Sequence, residues 1–254
     1  MGNKFYTFIR PVWGLFLALE VASCSLVRED RTDCPCELTV EILGQPSYPV
    51  SLSLTGEGFR EEWEIPRDTV LRLSAPSPGV QLLALAGAPP PQGQAVRIPE
   101  GSDCPPLYLH TEWVETVKDS ARVAVHLEKH FCTLSLLVEA PPGDGDPLQA
   151  DVRGCVEGLT LEGESLKGPF SCRLAPGESI RLPRQAPQEE LWLDISMPEG
   201  VVRSFALGNY MLEAGYDWTA PSLQDLSLEL NLSVTHLTFR NDHWTTSIPI
   251  KLEI

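Results

Sequence analysis

Apolar residues recur at every second position in segment after segment of this chain, and nowhere do they hold a 3.6-residue period for long. Leu38, Val40 and Ile42 alternate with Thr39 and Glu41. The same pattern runs through Val50 to Thr55, then Val123, Val125 and Leu127, then Leu134, Leu136 and Val138. It returns in Phe170, Cys172 and Leu174, in Leu191, Leu193 and Ile195, and in Leu226, Leu228, Leu230 and Leu232. The end is strictly alternating, with Ile248, Ile250, Leu252 and Ile254 on one parity. In an extended chain such a row faces a core while its neighbours face water. The 19 Gly and 23 Pro add frequent turns and deny the chain long helices. The reading is all-β, built as β-sandwiches, and 254 residues accommodate two of them.

Two interruptions organise the pattern. Parity changes near Phe131 and Cys132, which reads as a bulge or a turn. Ala140-Pro-Pro-Gly-Asp-Gly-Asp-Pro147 then breaks all periodicity and reads as an interdomain linker or a long loop. The expected organisation is a leader over 1–23, a tether over 24–36, one sandwich over 37–140 and a second over 141–254.

The first 23 residues have the order of an export signal. Lys4 and Arg10 precede the apolar run Val12 to Leu19, and Val21-Ala22-Ser23-Cys24 closes the segment. The run is too short to cross about 30 Å of hydrocarbon. Small residues before a cysteine form a bacterial lipobox, so Cys24 is expected to carry lipid. A plain secretory cut near Ala22 is the alternative. Lys4, Arg10 and Glu20 together carry +1, so their removal takes the net charge from −16 to −17. So acidic a body gives no cationic surface for nucleic acid and no electrostatic grip on anionic lipid. Acyl chains would hold it alone, each methylene contributing about 0.8 kcal/mol. Cys24 to Glu37 span at most about 45 Å.

Six further cysteines remain: Cys34, Cys36, Cys104, Cys132, Cys155 and Cys172. An even number in an exported chain suggests disulfides, with 15 pairings open. Cys155–Cys172 is the favoured pair because the segment between them reads as a hairpin. Cys34 or Cys36 with Cys104 or Cys132 is a weaker pairing. A zinc site from Cys34, Cys36, His126, His130 and Cys132 is a minor alternative.

Catalytic motifs are missing from the sequence. Gly163-Glu-Ser165 and Gly177-Glu-Ser179 lack the second glycine of a nucleophile elbow. No His-Glu-x-x-His and no phosphate-binding glycine loop with lysine occurs. Asp144 begins no calcium loop, because Leu148 and Cys155 fall where ligands are needed. A non-catalytic chain without cofactor or metal is expected, and an undetected hydrolase is the least favoured alternative.

Several segments, taken in order, carry a resemblance. Ser23-Cys24 followed by the charged run to Asp33-Cys34-Pro35 is similar to the start of Bacteroidetes fimbrial anchor lipoproteins, the FimB-like or minor-fimbrium anchor family. Val80 to Gly87, Val125 to Phe131, Leu207 to Tyr210, Gly215 to Ala220 and Leu223 to Leu226 resemble later parts of the same family. Pro89-Pro90-Pro91, Cys36, Cys104 and Cys132 depart from it. The resemblance implies two transthyretin-like β-sandwiches at the base of a fimbrium, on the outer membrane and facing either the periplasm or the exterior. It implies fimbrillin-like stalk subunits as partners, joined by β-strand donation. A lipid-anchored chain keeps its first strand, so Glu37 to Leu43 is expected to stay in place. Ile248, Ile250, Leu252 and Ile254 are then the candidate donor row, and the alternative is that they end their own sheet. Asp68-Thr69-Val70 and Asp119-Ser120-Ala121 resemble the family's O-glycosylation acceptors, at Thr69 and Ser120. A competing function is a surface lipoprotein that binds glycan or mediates adhesion without a fibre.

Overall fold

The structure is a computed structural model describing residues 35–44, 46–66, 68–139, 149–174, 177–186, 190–196, 202–231 and 236–250. Val21, Ala22, Ser23, Cys24, Cys34, Leu252, Ile254 and the loop 140–147 therefore lie outside the described residues.

The first half contains β1 (Cys36–Ile42), β2 (Val50–Gly56), β3 (Phe59–Ile65), β4 (Thr69–Ala75), β5 (Gly79–Ala86), β6 (Ala95–Arg97), β7 (Tyr108–Glu115), β8 (Ser120–Val125) and β9 (Glu128–Lys129). One sheet has the order β4-β1-β8, and the facing sheet is β3-β2-β5-β7-β9. β1 runs antiparallel to β4 and parallel to β8. The alternating rows meet between the sheets: Leu38, Val40 and Ile42 from β1 pack with Leu52, Leu54, Val80 and Leu82 across the gap. The polar parity, Ser51, Ser53 and Thr55 on β2, is left outside.

The second half follows with β10 (Phe131–Glu139), β11 (Gln149–Thr160), β12 (Ser165–Leu174), β13 (Ser179–Pro183), β14 (Leu191–Ser196), β15 (Val202–Phe205), α1 (Leu207–Glu213), β16 (Leu226–Asn231), β17 (His236–Arg240) and β18 (Thr245–Pro249). Its sheets are β13-β10-β16-β17-β18 and β12-β11-β14-β15. The wiring repeats that of the first half. β10 is central like β1, with β13 antiparallel on one side and β16 parallel on the other. β17 and β18 extend the sheet past β16. α1 is two turns long, too short to leave a sustained helical period, and buries Leu207, Tyr210 and Met211 at i, i+3 and i+4.

The strand Phe131–Glu139, assigned by sequence to the first sandwich, belongs to the second. Cys132, Leu134 and Leu136 pack with Leu182, Leu228 and Phe239 in the second core. The parity change at Phe131–Cys132 marks the passage from one sandwich to the other, and residues 140–148 connect β10 to β11 within the second.

A third cluster seals the junction. Leu85, Val96, Leu107, Leu109 and Leu159 are buried together, drawn from both halves. Their burial contributes on the order of 10 kcal/mol before ordering costs. Here β6, from the first half, pairs with β11 of the second. The approach needs Gly158, where a Cβ would lie 2.2 Å from the Val96 carbonyl oxygen. Gly158→Val is expected to break the β6–β11 pairing and destabilise the fold by about 2–4 kcal/mol. Urea unfolding measures the loss, and hydrogen exchange at Val96 and Ile98 should accelerate with it.

Candidate functional site

The strands nearest the two ends of the described chain are held very differently. β1 is hydrogen-bonded on both sides, and Cys36, Leu38, Val40 and Ile42 are buried. β18 has one neighbour, β17, and lies at a sheet edge. Ile248 is buried opposite Leu237, and Ile250 packs partly against the same core. Pro249, opposite His236, has no N–H to give a ladder. Thr245–Pro249 thus closes its own sheet in this structure, the alternative weighed for the candidate donor segment.

Register places the two ends at opposite poles. β1 starts beside Ala75 and Ser120 and runs to Ile42 beside Thr69 and Val125. The Ile42 end faces the junction, because β9 pairs there with Tyr108 and Leu109. In the second sandwich β10 starts at the junction and β16 runs parallel to it. β17 returns and β18 runs outward again, so Pro249 emerges at the end away from the junction.

Between these poles the chain turns a corner held by Arg184. Its Nε donates to His130 Nδ1 at 3.0 Å. Nη1 donates to the carbonyls of Trp218 at 2.6 Å and Ala220 at 2.8 Å. Nη2 reaches Pro221 O at 2.8 Å and Lys129 O at 3.4 Å. The backbone joins in: His130 N–H donates to Leu107 O, Arg184 N–H to His130 O and Leu223 N–H to Lys129 O. Asp225 completes the corner, accepting from Lys129 Nζ at 2.5 Å and from the Thr133 N–H at 2.7 Å. His130 is 6% exposed. Its burial, and then the Arg184 charge beside it, lowers its pKa to about 4. Neutral imidazole is what the geometry requires, since protonated Nδ1 would face a donor. Sequence reading placed His130 only in a zinc alternative and did not single out Arg184.

The other candidate residues are dispersed. Thr69 opens β4, half-buried, and Ser120 opens β8, exposed; they stand at opposite ends of their sheet. The favoured disulfide is not formed: Cys155 and Cys172 are not bonded to each other. The hairpin between them exists, but its register sets Val152 opposite Cys172. Cys155, at a bulge three positions away, faces Glu190, whose N–H lies 3.2 Å from its sulfur. Cys36, Cys104 and Cys132 are free and buried. Burial pushes the Cys104 and Cys132 thiols up to about 12, so both are inert at neutral pH. Cys36 belongs to the first core region and Cys132 to the second, so the zinc alternative does not assemble. Among the described residues no three His, Cys, Asp or Glu side chains converge on a metal position.

An open groove of about 1070 Å³ crosses the outer face of the first sandwich. Its floor is mixed, with Ser51, Ser53, Gln81 and Thr111 beside Leu83 and Leu85, and Gln81 Nε2 donates to Thr111 Oγ1 at 2.8 Å. Pro90-Pro91 and the β11–β12 turn at Leu161-Glu162 form its walls.

No protein-family model and no curated protein matches the sequence. Solved structures share the all-β fold. A candidate adhesin from Bacteroides thetaiotaomicron superposes with a TM-score of 0.64 at 12% identity, covering 85% of this chain and 98% of that one. A candidate polysaccharide-binding protein of the same organism gives 0.60 at 12%, covering 84% and 98%. The fimbrial anchor protein Mfa2 from Porphyromonas gingivalis gives 0.58 at 12%, covering 84% and 99%. At such identities the likeness establishes the all-β tandem fold. No described helix is long and apolar enough to cross a membrane.

The Arg184 corner makes two predictions. Arg184→Met takes the donor from the part-buried carbonyls of Trp218 and Ala220 and should cost on the order of 2–4 kcal/mol, read as a lower urea midpoint. The folded His130 pKa of about 4 lies below the unfolded value of about 6.5. Its contribution is therefore complete above pH 6.5, declines as pH falls toward 4, and amounts to about 3 kcal/mol at most. His130→Asn keeps an acceptor for Arg184 but does not titrate. It should flatten the pH dependence of the urea midpoint between pH 6.5 and 4.5.

Proposed function

We propose that this chain is a non-catalytic fimbrial anchor or assembly subunit. In this reading Cys24 is acylated after removal of 1–23 and holds the protein on the outer membrane. Its partners are fimbrillin-like stalk subunits, joined by strand donation. The observation that carries the reading is the polarity of the chain: β1 begins at one pole and β18 ends at the other. Such a subunit must be fixed at one end and engaged at the other.

The energetics of the two ends favour the same assignment. Withdrawing β1 would expose Leu38, Val40 and Ile42 and strip hydrogen bonds from two neighbours. Withdrawing β18 exposes one fully buried residue, Ile248, and strips one neighbour. At about 1.5–3 kcal/mol per buried aliphatic side chain, the C-terminal strand is by far the cheaper to release. Ile250, Leu252 and Ile254 continue its apolar row toward a partner groove. The named function of Mfa2, fimbrial anchoring, agrees with this reading.

A second reading, a surface lipoprotein that binds glycan without a fibre, is favoured by the groove that sets hydroxyls and amides beside Leu83 and Leu85. A few polar groups among apolar side chains can pair with sugar hydroxyls and ring faces. O-glycans at Thr69 and Ser120 are compatible with both readings.

Deleting Pro249–Ile254 retains Ile248 and should leave a folded protein that no longer keeps fibres on cells. Full fibre retention by the folded truncated protein would overturn strand donation from this end. Labelled palmitate should enter the wild-type chain and be absent from Cys24→Ala.

A further inference from the structure

The pole at which β1 begins is built from three turns. Glu57-Gly58 joins β2 to β3, Pro76 to Pro78 joins β4 to β5, and Thr116 to Asp119 joins β7 to β8. The Glu37 N–H donates to Asp119 O at 2.9 Å, which ties the start of β1 into this pole. Two large apolar side chains stand out from it. Val117 is 67% exposed and Trp113 is 55% exposed.

Both are held on rigid support. Thr116 is buried, its Oγ1 donates to Pro76 O, and its N–H donates to Pro78 O at 3.0 Å. Val117 is therefore presented by a pinned turn. Trp113 pairs with Gln81, and its ring leans two residues toward the pole, across Gly79. A Cβ at position 79 would lie 2.6 Å from the indole, so the glycine provides the ring's seat. Other exposed large apolar residues lie elsewhere: Leu43, Tyr48 and Val70 toward the far end of the first sandwich, and Leu137, Val202 and Leu212 on the second half.

We propose that this pole rests on the lipid surface, with Val117 and the Trp113 indole in the interfacial layer. The inference builds on acylation of Cys24, which stands 12 residues before Cys36. Twelve residues span at most about 40 Å, so the pole stays close to the bilayer that holds the acyl chains. Two apolar side chains bind a membrane weakly on their own. A short tether supplies an effective concentration on the order of millimolar, which makes weak contacts count. Indole prefers the membrane–water interface, and Lys118, exposed beside Val117, can run its stem along it with the amine in the headgroups. Glu37, Glu57, Glu115 and Asp119 lie at the same pole, so the surface it suits is zwitterionic rather than anionic. The contact would set the molecule upright, with Pro249 pointing away from the bilayer.

The test attaches the mature chain, residues 25–254, to phosphatidylcholine vesicles through an N-terminal hexahistidine tag and a nickel-chelating lipid. Brominated acyl chains quench indoles that reach the interface. Quenching is expected, and Trp113→Phe should remove at least about half of it, with Val117→Asp also lowering it and Trp192→Phe leaving it unchanged. Quenching that survives Trp113→Phe, or that is absent in the folded wild type, overturns the proposal. So does shielding of Trp113 that follows protein concentration without vesicles, which would mean a protein partner covers the pole. Because attachment here bypasses Cys24, failure of this test is distinct from failure of acylation, which palmitate labelling reads.

Discussion

A single guanidinium holds the corner at which the chain leaves one sandwich and enters the other. Arg184 reaches the imidazole of His130 and carbonyls of Lys129, Trp218, Ala220 and Pro221. These groups come from the end of β9, from the passage into β10 and from the loop after α1. Without Arg184, the part-buried carbonyls of Trp218 and Ala220 would lose the donor that joins them to His130. Burial lowers the Arg184 pKa, and five directed hydrogen bonds offset that desolvation. Around this polar centre lies the apolar seal of Leu85, Val96, Leu107, Leu109 and Leu159. The relation between the two chain ends depends on both.

The sandwiches share one wiring plan and differ at one edge. Past β16 the second half adds β17 and β18, and Leu237, Phe239 and Ile248 cover the core there. Past β8, among the described residues, no strand is added. The inward row of β7 carries a polar pair at its middle, between Tyr108 and Val114, with His110 Nε2 3.4 Å from Glu112 Oε2. Such charge near an open edge discourages a foreign strand. The polar pair suits the first half to remain closed, while the second half ends in a hairpin that sits outside the shared plan.

Much of this architecture was legible in the sequence, because burial on one face of a strand imposes period two. The strands around Leu38, Leu52, Leu193 and Leu228 lie where their alternation puts them. What failed was partition. The proline- and glycine-rich run near 140 looked like a domain boundary, yet turn composition marks any chain reversal, within a domain or between two. The true passage at His130 left a one-residue shift in parity, which a bulge produces equally well. Cysteine count misled in a related way: Cys155 and Cys172 flank a real hairpin, and only register, which spacing does not specify across bulges, separates them. Arg184 was illegible because its partners are mostly backbone carbonyls, which leave no mark in side-chain pattern. Trp113 was legible as an aromatic and not as an exposed one, since its place on the outer parity of β7 depends on pairing with Gln81.

Edge position explains why one segment can serve two readings. A terminal strand on a sheet edge is both the last strand of its own sandwich and the one most easily lent. For β18 the lending exchanges the contacts of Ile248 and one ladder with β17 for a partner's groove, which can also take the row beyond it. The exchange favours the partner only if that groove covers more apolar surface than β18 gives up. One buried isoleucine is a low threshold, and the four buried residues of β1 are a high one. The same arithmetic that holds the first strand in place makes the last one the cheaper to release. Strands of such unequal cost at opposite poles make the chain directional.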